Sequence, residues 1–239
     1  MKKIIKKILP NSFKELIRSV KKKYIEGGGY WLKSYSQEGE DIILAKIFDK
    51  QQNGFYVDVG AHHPYRFSNT YFFYKRGWKG INIDAMPGSM KIFNKYRSRD
   101  KNIEAGISDT KKKMKYYVFN EPAANTFIEE IAKKPNSPEY RIIDVIELDT
   151  LTLEEILYIN LGAEQKIDFL NIDVEGLDFN VIKSNNWQKY RPKVILVEIS
   201  NITNIFDLKN NKIVKYLEEM DYQFFAKTCN TIIFIETDI

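Results

Sequence analysis

The chain is poor in several things, and each shortage excludes something. It has one cysteine, Cys229, in 239 residues. No intrachain disulfide is available, so a disulfide-stapled scaffold is excluded and a reducing, cytoplasmic setting is expected. No apolar run reaches the roughly 18 residues that a membrane span needs. The first residues carry no long apolar stretch followed by a small-residue cleavage site, so no signal peptide is expected. Outside its first residues the chain also lacks excess positive charge. Residues 1–23 hold nine Lys/Arg and one acid, Glu15, a net +8; the whole chain carries +5, which leaves −3 for the other 216 residues. A mildly acidic body argues against nucleic acid as its partner.

What is present is the making of one folded domain. Hydrophobic residues are 44% of the chain and aromatics 14%, enough for a packed core and too many for a disordered chain. The length suits one α/β domain. The basic arm precedes it. Ser12 and Glu15 fit a capping box, and Phe13, Leu16, Ile17 and Val20 share a helical face with Lys14, Arg18 and Lys21 off it. Such a helix can lie on an anionic membrane, here the inner surface, or pack on its own domain with a basic edge in water. "EGGGY", Glu26 to Tyr30, reads as a joint, so the expected division is 1–33 for the arm and 34–239 for the domain.

From Ser34 onward, helical and strand patterns alternate. "SQEGEDIILAKIFD" reads as a helix and "GFYVDVG" as the first strand. "SNTYFFYKRG" follows as a helix with Ser68 at its start and Gly77 as its stop, then "KGINID" as a strand, Met90 to Tyr96 as a helix, and "KNIEAGISD" as a strand ending near Ile107. "KMKYYVFN" and "RIIDVIELDT" are further strands around a polar loop. "TLEEILYIN", "LDFNVIKS" and "KIVKYLEEM" read as helices, "IDFLNID" and "KVILVEI" as strands. "YQFFAK" and "TIIFIE" form a closing antiparallel pair turned at "TCN". The alternation predicts an α/β fold: a mainly parallel seven-stranded sheet with an antiparallel C-terminal strand and helices on both faces.

Glycine is also scarce where it would matter most. In such sheets ligands sit beyond the C-terminal strand ends, and dinucleotide folds place Gly-x-Gly-x-x-Gly after the first strand. Here "VDVGAHHP" keeps only Gly60; His62 and Tyr65 fill the other two positions. Asp58 stands at the strand end, where a carboxylate is unfavourable beside a pyrophosphate and favourable beside a cationic group. Asp84 ends the second strand, 26 positions on, where an acid can accept hydrogen bonds from ribose hydroxyls.

"GFYVDVGAHHPYRFSNTYFFYKRGWKGINIDAMP", "IEAGISD" and "IDFLNIDVEGLDFNVIKS", preceded by "YSQEGEDIIL", together resemble FkbM-type S-adenosylmethionine-dependent methyltransferases, from about Tyr35 to Glu236. The resemblance implies a Rossmann-like class I methyltransferase fold. It implies S-adenosylmethionine as methyl donor and transfer to a hydroxyl of a sugar, glycan precursor or related metabolite. It assigns Asp58, Gly60 and Ala61 to the first cofactor motif, Asp84 to the ribose, Ser108 and Asp109 to the adenine region, and Asp173 to the position facing the methyl group. The departure is His62, which stands where many class I methyltransferases have a second glycine.

Methyl transfer to an alcohol is an in-line displacement that needs the acceptor aligned and its proton removed. Asp173 and Glu175, two apart in "NIDVEG", are candidates for base and orienter. They could also hold a divalent metal, which is not the favoured reading, or serve the backbone and the next helix. His62 and His63 are candidates for base or acceptor contact. Gln37 and Asp41 are placed near the cofactor, Glu198 and Asn125 near the acceptor. Two other readings stay open: a membrane-associated, non-catalytic binding protein on the same fold, and an NAD(P)-dependent oxidoreductase, which the missing glycines weaken. The acceptor, the oligomeric state and the role of the arm are not legible here.

Overall fold

The computed structural model describes Pro10 and residues 14–16, 32–134, 138–200 and 204–237. Of the basic arm, residues 14–16 are helical, with the Lys14 N–H on the Pro10 carbonyl at 3.1 Å. The rest of the expected amphipathic helix and the 26–30 joint lie outside the described residues. Residues 1–33 and 34–239 are separate compact units, and everything below concerns the second. Among the described residues no helix is long and apolar enough to cross a membrane.

The domain runs α1 (Glu40–Ile47), β1 (Phe55–Val59), α2 (Tyr71–Lys75), β2 (Lys79–Asp84), α3 (Met90–Tyr96), β3 (Lys101–Glu104), β4 (Gly106–Ile107) and β5 (Lys113–Phe119). It continues with α4 (Glu129–Ala132), β6 (Ile142–Leu151), α5 (Leu153–Asn160), β7 (Phe169–Ile172), α6 (Asp178–Lys183), β8 (Val194–Glu198), α7 (Lys212–Glu219), β9 (Tyr222–Lys227) and β10 (Thr231–Glu236). Seven strands make one sheet in the order β3-β2-β1-β7-β8-β10-β9. All pairings from β3 to β8 are parallel, and β10 runs antiparallel to both β8 and β9. The sheet is the one the alternating pattern predicts.

Strand alternation divides the core between two faces. Val57, Val59, Ile81, Ile83, Leu170, Ile172, Ile195 and Val197 pack with Leu153, Ile156 and Leu157 of α5, Val181 and Ile182 of α6, and Leu217 of α7. Tyr56, Phe169, Val194, Leu196 and Ile233 pack on the other face with Leu44, Phe48, Phe73 and Trp78. Local signals agree with these placements. Ser68 accepts the Tyr71 N–H at the start of α2, and Thr152 with Glu155 forms a capping box on α5.

One stretch departs from its sequence reading. "KNIEAGISD" is not a single strand: β3 stays in the main sheet, and β4 leaves it to pair with Thr150 and Leu151 of β6. At Gly106, where β4 begins, the backbone lies close under Phe127: a Cβ there would stand 2.7 Å from its ring. The strands β4-β6-β5 form a second, small sheet. Its Tyr116 and Val118 pack with Phe127 and Leu177 beside the main sheet. The chain order reverses between β1 and β7, the switch point at which ligands of such sheets bind.

Candidate active site

The site begins with a contact between the ends of β1 and β7. Gly60 follows β1 with φ 85°, and a Cβ on it would lie 1.7 Å from the Asp173 carbonyl oxygen. No residue with a side chain fits, for conformation and for space. The resemblance assigns Gly60 to the first cofactor motif; the constraint the structure shows on it is the neighbouring strand end. Gly60 and Ala61 N–H groups both donate to the Ile83 carbonyl, tying the turn to β2 as well. His62 then adopts φ 51°, the left-handed conformation that the usual second glycine would supply. A histidine in this conformation carries backbone strain that a glycine would not.

Two more non-glycine residues with positive φ border the same space, Phe67 at 55° and Glu175 at 49°. Phe67 stacks on His62 and lies under the Arg66 guanidinium, 4.4 Å from ring centre to carbon. Arg66 binds both oxygens of Glu121 at 3.0 Å, linking this loop to the one after β5. The Glu175–Gly176 turn is held by Thr126, whose hydroxyl donates to the Glu175 carbonyl at 2.7 Å, and by Asp178, whose carboxylate accepts the Val174 and Gly176 N–H groups.

These loops enclose a cavity of about 860 Å³, its open mouth included. Asp58, Gly60, Ala61, His62, Asp84, Gln37, Asn125, Asp173 and Glu175 all border it. Its character changes from one wall to another. Ile83, Ala85, Ile107, Tyr116 and Phe127 offer an apolar, partly aromatic wall; Asp58, Asp84 and Asp173 offer carboxylates. That combination fits a nucleoside bearing a positive centre and disfavours a pyrophosphate. Burial pushes the Asp58 carboxyl up, opposed by hydrogen bonds from Asn171 and Thr70. Asp84 is also raised by burial, while its two oxygens accept the Met86 and His62 N–H groups at 2.8 and 2.9 Å. Each oxygen keeps capacity for a further hydrogen bond.

A second cavity, about 1260 Å³ with its mouth, adjoins the first and shares Gln37, Phe67, Asn69, Ala123, Asp173 and Glu175 with it. Carboxylates wall it: Glu38, Glu40, Glu121, Asp173, Glu175 and Glu198. Asp173, Glu175 and Glu198 converge until one oxygen of each lies within 4.8 Å of the others. Asp173 faces open cavity space, yet walls surround it. Confinement and the Glu198 charge push its carboxyl well above the usual range. Burial and the neighbouring acids raise Glu175 and Glu198 each to about 8. The three titrate as a set. Such a set can share protons near neutral pH or coordinate a hard divalent cation.

Several assigned residues lie elsewhere. Asp41 borders neither cavity: its carboxylate is occupied by the Ser34 and Ser36 hydroxyls and the Tyr35 N–H, fixing the segment before α1. Ser108 is buried and donates to Asp109, which pairs with Lys112 at 3.0 Å; Ala105 and Ile107 border the cavity in their place. The separation of β4 from β3 turns Ser108 and Asp109 away. His63 also borders neither cavity; its Nδ1 accepts the Tyr65 and Arg66 N–H groups and so shapes the loop. His62 does border the first cavity, but burial and the Arg66 charge hold its imidazole down at about 4, a poor proton acceptor near neutrality. Asn125, placed with the acceptor, borders the first cavity and accepts the Phe119 N–H. Glu198 borders the second.

Sequence reasoning missed Asn69, Asn171, Phe67, Tyr116 and Phe127. Asn171 was within reach: it stands two before Asp173, on the same strand face, and pairs in register with Asp58. Tyr116 and Phe127 carry no local signal, because the small sheet brings them to the site.

The fold, with two adjoining cavities at the switch point, is Rossmann-like. The family described as methyltransferase FkbM domain matches residues 58–224, and the chain belongs to it. It is therefore an S-adenosylmethionine-dependent methyltransferase. Solved structures with a similar course include a TehB-like SAM-dependent methyltransferase from Corynebacterium glutamicum, 8% identical over 95% of this chain and 100% of that one, TM-score 0.43. Another is 1,6-didemethyltoxoflavin-N1-methyltransferase from Burkholderia thailandensis, with bound 1,6-didemethyltoxoflavin and S-adenosylhomocysteine; it is 9% identical over 96% and 91% of the two chains, TM-score 0.45. A third is precorrin-6y C5,15-methyltransferase from Geobacter metallireducens, 12% identical over 85% and 90%, TM-score 0.40. No curated protein matches the chain significantly.

Two outcomes follow from this geometry. Gly60→Ala is expected to cost about 3 kcal/mol of stability in urea denaturation, because strain and a backbone clash coincide, and to abolish S-adenosylmethionine binding in calorimetry. The acid cluster sets a pH dependence. Glu175 and Glu198 rise from 4.5 to about 8 on folding, so the native state binds more protons in that window. Their stabilising contribution is full below 4.5 and lost as pH rises through 8. Thermal melts should show the midpoint falling from about pH 5 to 8, and Glu198→Gln should flatten that fall; an unchanged slope would count against the cluster.

Proposed function

We propose that the protein transfers the methyl group of S-adenosylmethionine to a hydroxyl oxygen of a sugar or glycan-type acceptor. The observation that carries this reading is the second cavity. It meets the first at Asp173 and Glu175, and its walls are rich in carboxylates. Carboxylates are strong acceptors for the many O–H donors of a polyol. They repel phosphate and carboxylate groups, so a neutral hydroxylated acceptor suits the space better than an anionic one.

S-adenosylmethionine supplies the methyl as a sulfonium substituent. The acceptor oxygen forms the new C–O bond as the C–S bond breaks, and the hydroxyl proton leaves to the protein. Asp173, Glu175 and Glu198 are the groups that receive it. Shared protons keep the set from carrying full charge while it waits, and a carboxylate that titrates near 8 is a far stronger base than an ordinary one. Asp58 and Asp84, bordering the first cavity from β1 and β2, would hold the cofactor, the first by its charge against a cationic group and the second by accepting hydrogen bonds from ribose hydroxyls. His62 serves as a neutral wall of the turn.

Asp84→Ala should weaken S-adenosylmethionine binding by about 1–3 kcal/mol, through the lost ribose hydrogen bonds; calorimetry with an unchanged affinity would remove that role. The overall reading is tested by labelled-methyl transfer across neutral glycans, amino sugars and sugar nucleotides. Transfer to neutral polyols is expected, with a rate that rises with pH and levels off above about 8, unaffected by EDTA. Transfer confined to nitrogen acceptors or to phosphorylated sugars would overturn it, and EDTA-sensitive activity restored by Mg²⁺ would reassign the three carboxylates to a cation.

A further inference from the structure

Behind the cofactor turn lies a polar network that the catalytic reading does not use. Its centre is Arg97, which follows α3 and is 0% exposed. The guanidinium donates from Nε to Asp100 at 2.8 Å, from Nη1 to the Pro64 carbonyl at 3.0 Å, and from Nη2 to the Tyr56 hydroxyl at 2.8 Å and the Thr70 hydroxyl at 3.0 Å. The rings of Tyr74, Tyr56 and Tyr71 surround it at 4.7, 5.5 and 5.9 Å. Asp100 is held in turn by Tyr56, by Asn82 and by the Gly80 N–H. Arginine suits this place because a planar fork can address several acceptors at once.

The network reaches the cavity through one atom. The Thr70 hydroxyl oxygen accepts from Arg97 and its proton goes to Asp58 Oδ2 at 2.9 Å, the charged and nearer acceptor, which leaves the Ser68 hydroxyl at 3.2 Å to donate to Thr70. Asp58 Oδ1 accepts from Asn171 at 2.9 Å, and Asn171 Oδ1 accepts from Asn69 at 2.8 Å. Asp58, Asn69 and Asn171 all border the cofactor cavity, whereas Arg97 and Thr70 do not.

We propose that Arg97 and Thr70 are positioning residues for the cofactor: Arg97, anchored on Asp100, orients the Thr70 hydroxyl so that it fixes the Asp58 carboxylate, and through the Pro64 carbonyl it also fixes the far end of the turn. The proposal rests on the reading of Asp58 as the group facing the positive end of S-adenosylmethionine. Two buried donors hold the carboxylate at a set angle before the ligand arrives, so no ordering of it is needed on binding.

The test uses the full chain and two ligands, S-adenosylmethionine and methylthioadenosine, which lacks the amino-acid part and the positive sulfur. Thr70→Val keeps shape and removes the link. It is expected to weaken S-adenosylmethionine about tenfold in calorimetry, the loss of one charge-assisted hydrogen bond, and to leave methylthioadenosine unchanged. Thr70→Ser should restore wild-type binding. Arg97→Lys keeps the charge beside Asp100 without the fork, and should show the same split; it carries the test if Thr70→Val does not fold. Equal weakening of both ligands, or unchanged S-adenosylmethionine binding, would overturn the proposal. Asp58→Asn separates the two ways it can fail. If that variant weakens S-adenosylmethionine while Thr70→Val does not, the relay is wrong and the cofactor site stands. If neither matters, the cofactor-facing role of Asp58 falls with it.

Discussion

Everything at the site depends on how closely the end of β1 approaches the end of β7. With no side chain at Gly60, its backbone rests against the Asp173 carbonyl. That contact brings the turn after one strand and the acidic turn after the other to a common edge. Parallel pairing of β1 with β7 sets the distance, and the reversal of chain order there leaves the crevice open above them. A bulkier residue would push the turn outward and separate the carboxylate of Asp58 from those of Asp173 and Glu175.

The second theme is the concentration of acids in confined space. Asp58 lies inside a strand whose residues are all buried, and it is supported by an amide, a hydroxyl and, one step further, a caged guanidinium. Burial raises the Asp58 carboxyl and these hydrogen bonds oppose the rise, whereas in the cluster around Asp173 the charges of neighbouring acids add to the effect of burial. The two environments suit two tasks. A carboxylate oriented by two hydrogen bonds is matched to a cationic ligand; carboxyls raised toward neutrality are matched to taking up a proton. Backbone strain at His62, Phe67 and Glu175 lies around the same space, where the surrounding packing can hold it.

Much of the main sheet was legible because its strands are short apolar runs bounded by turns, and its helices carry one apolar face. The strand-end positions of Asp58, Gly60, Asp84 and Asp173 were legible for the same reason: a strand's end and its alternation place a residue on an edge and a face. The assignments that moved were those that depend on the path of a loop. Ser108 and Asp109 follow the stretch where the chain leaves the main sheet to pair with β6, Asp41 is taken up by its own segment, and His63 by its own loop.

The sequence by itself determined the order of strands and helices, the single glycine of the turn and the acids at the strand ends, because these follow from local periodicity and from the conformational demands of single residues. Tertiary structure alone decided which acids meet. Glu198 joins Asp173 and Glu175 only because β8 lies beside β7, and Tyr116 and Phe127 reach the first cavity only because the small sheet packs against the large one. The proton affinity of His62 is likewise set by packing. Burial and the Arg66 charge lower its proton affinity, and neither can be read from two adjacent histidines in a row of letters.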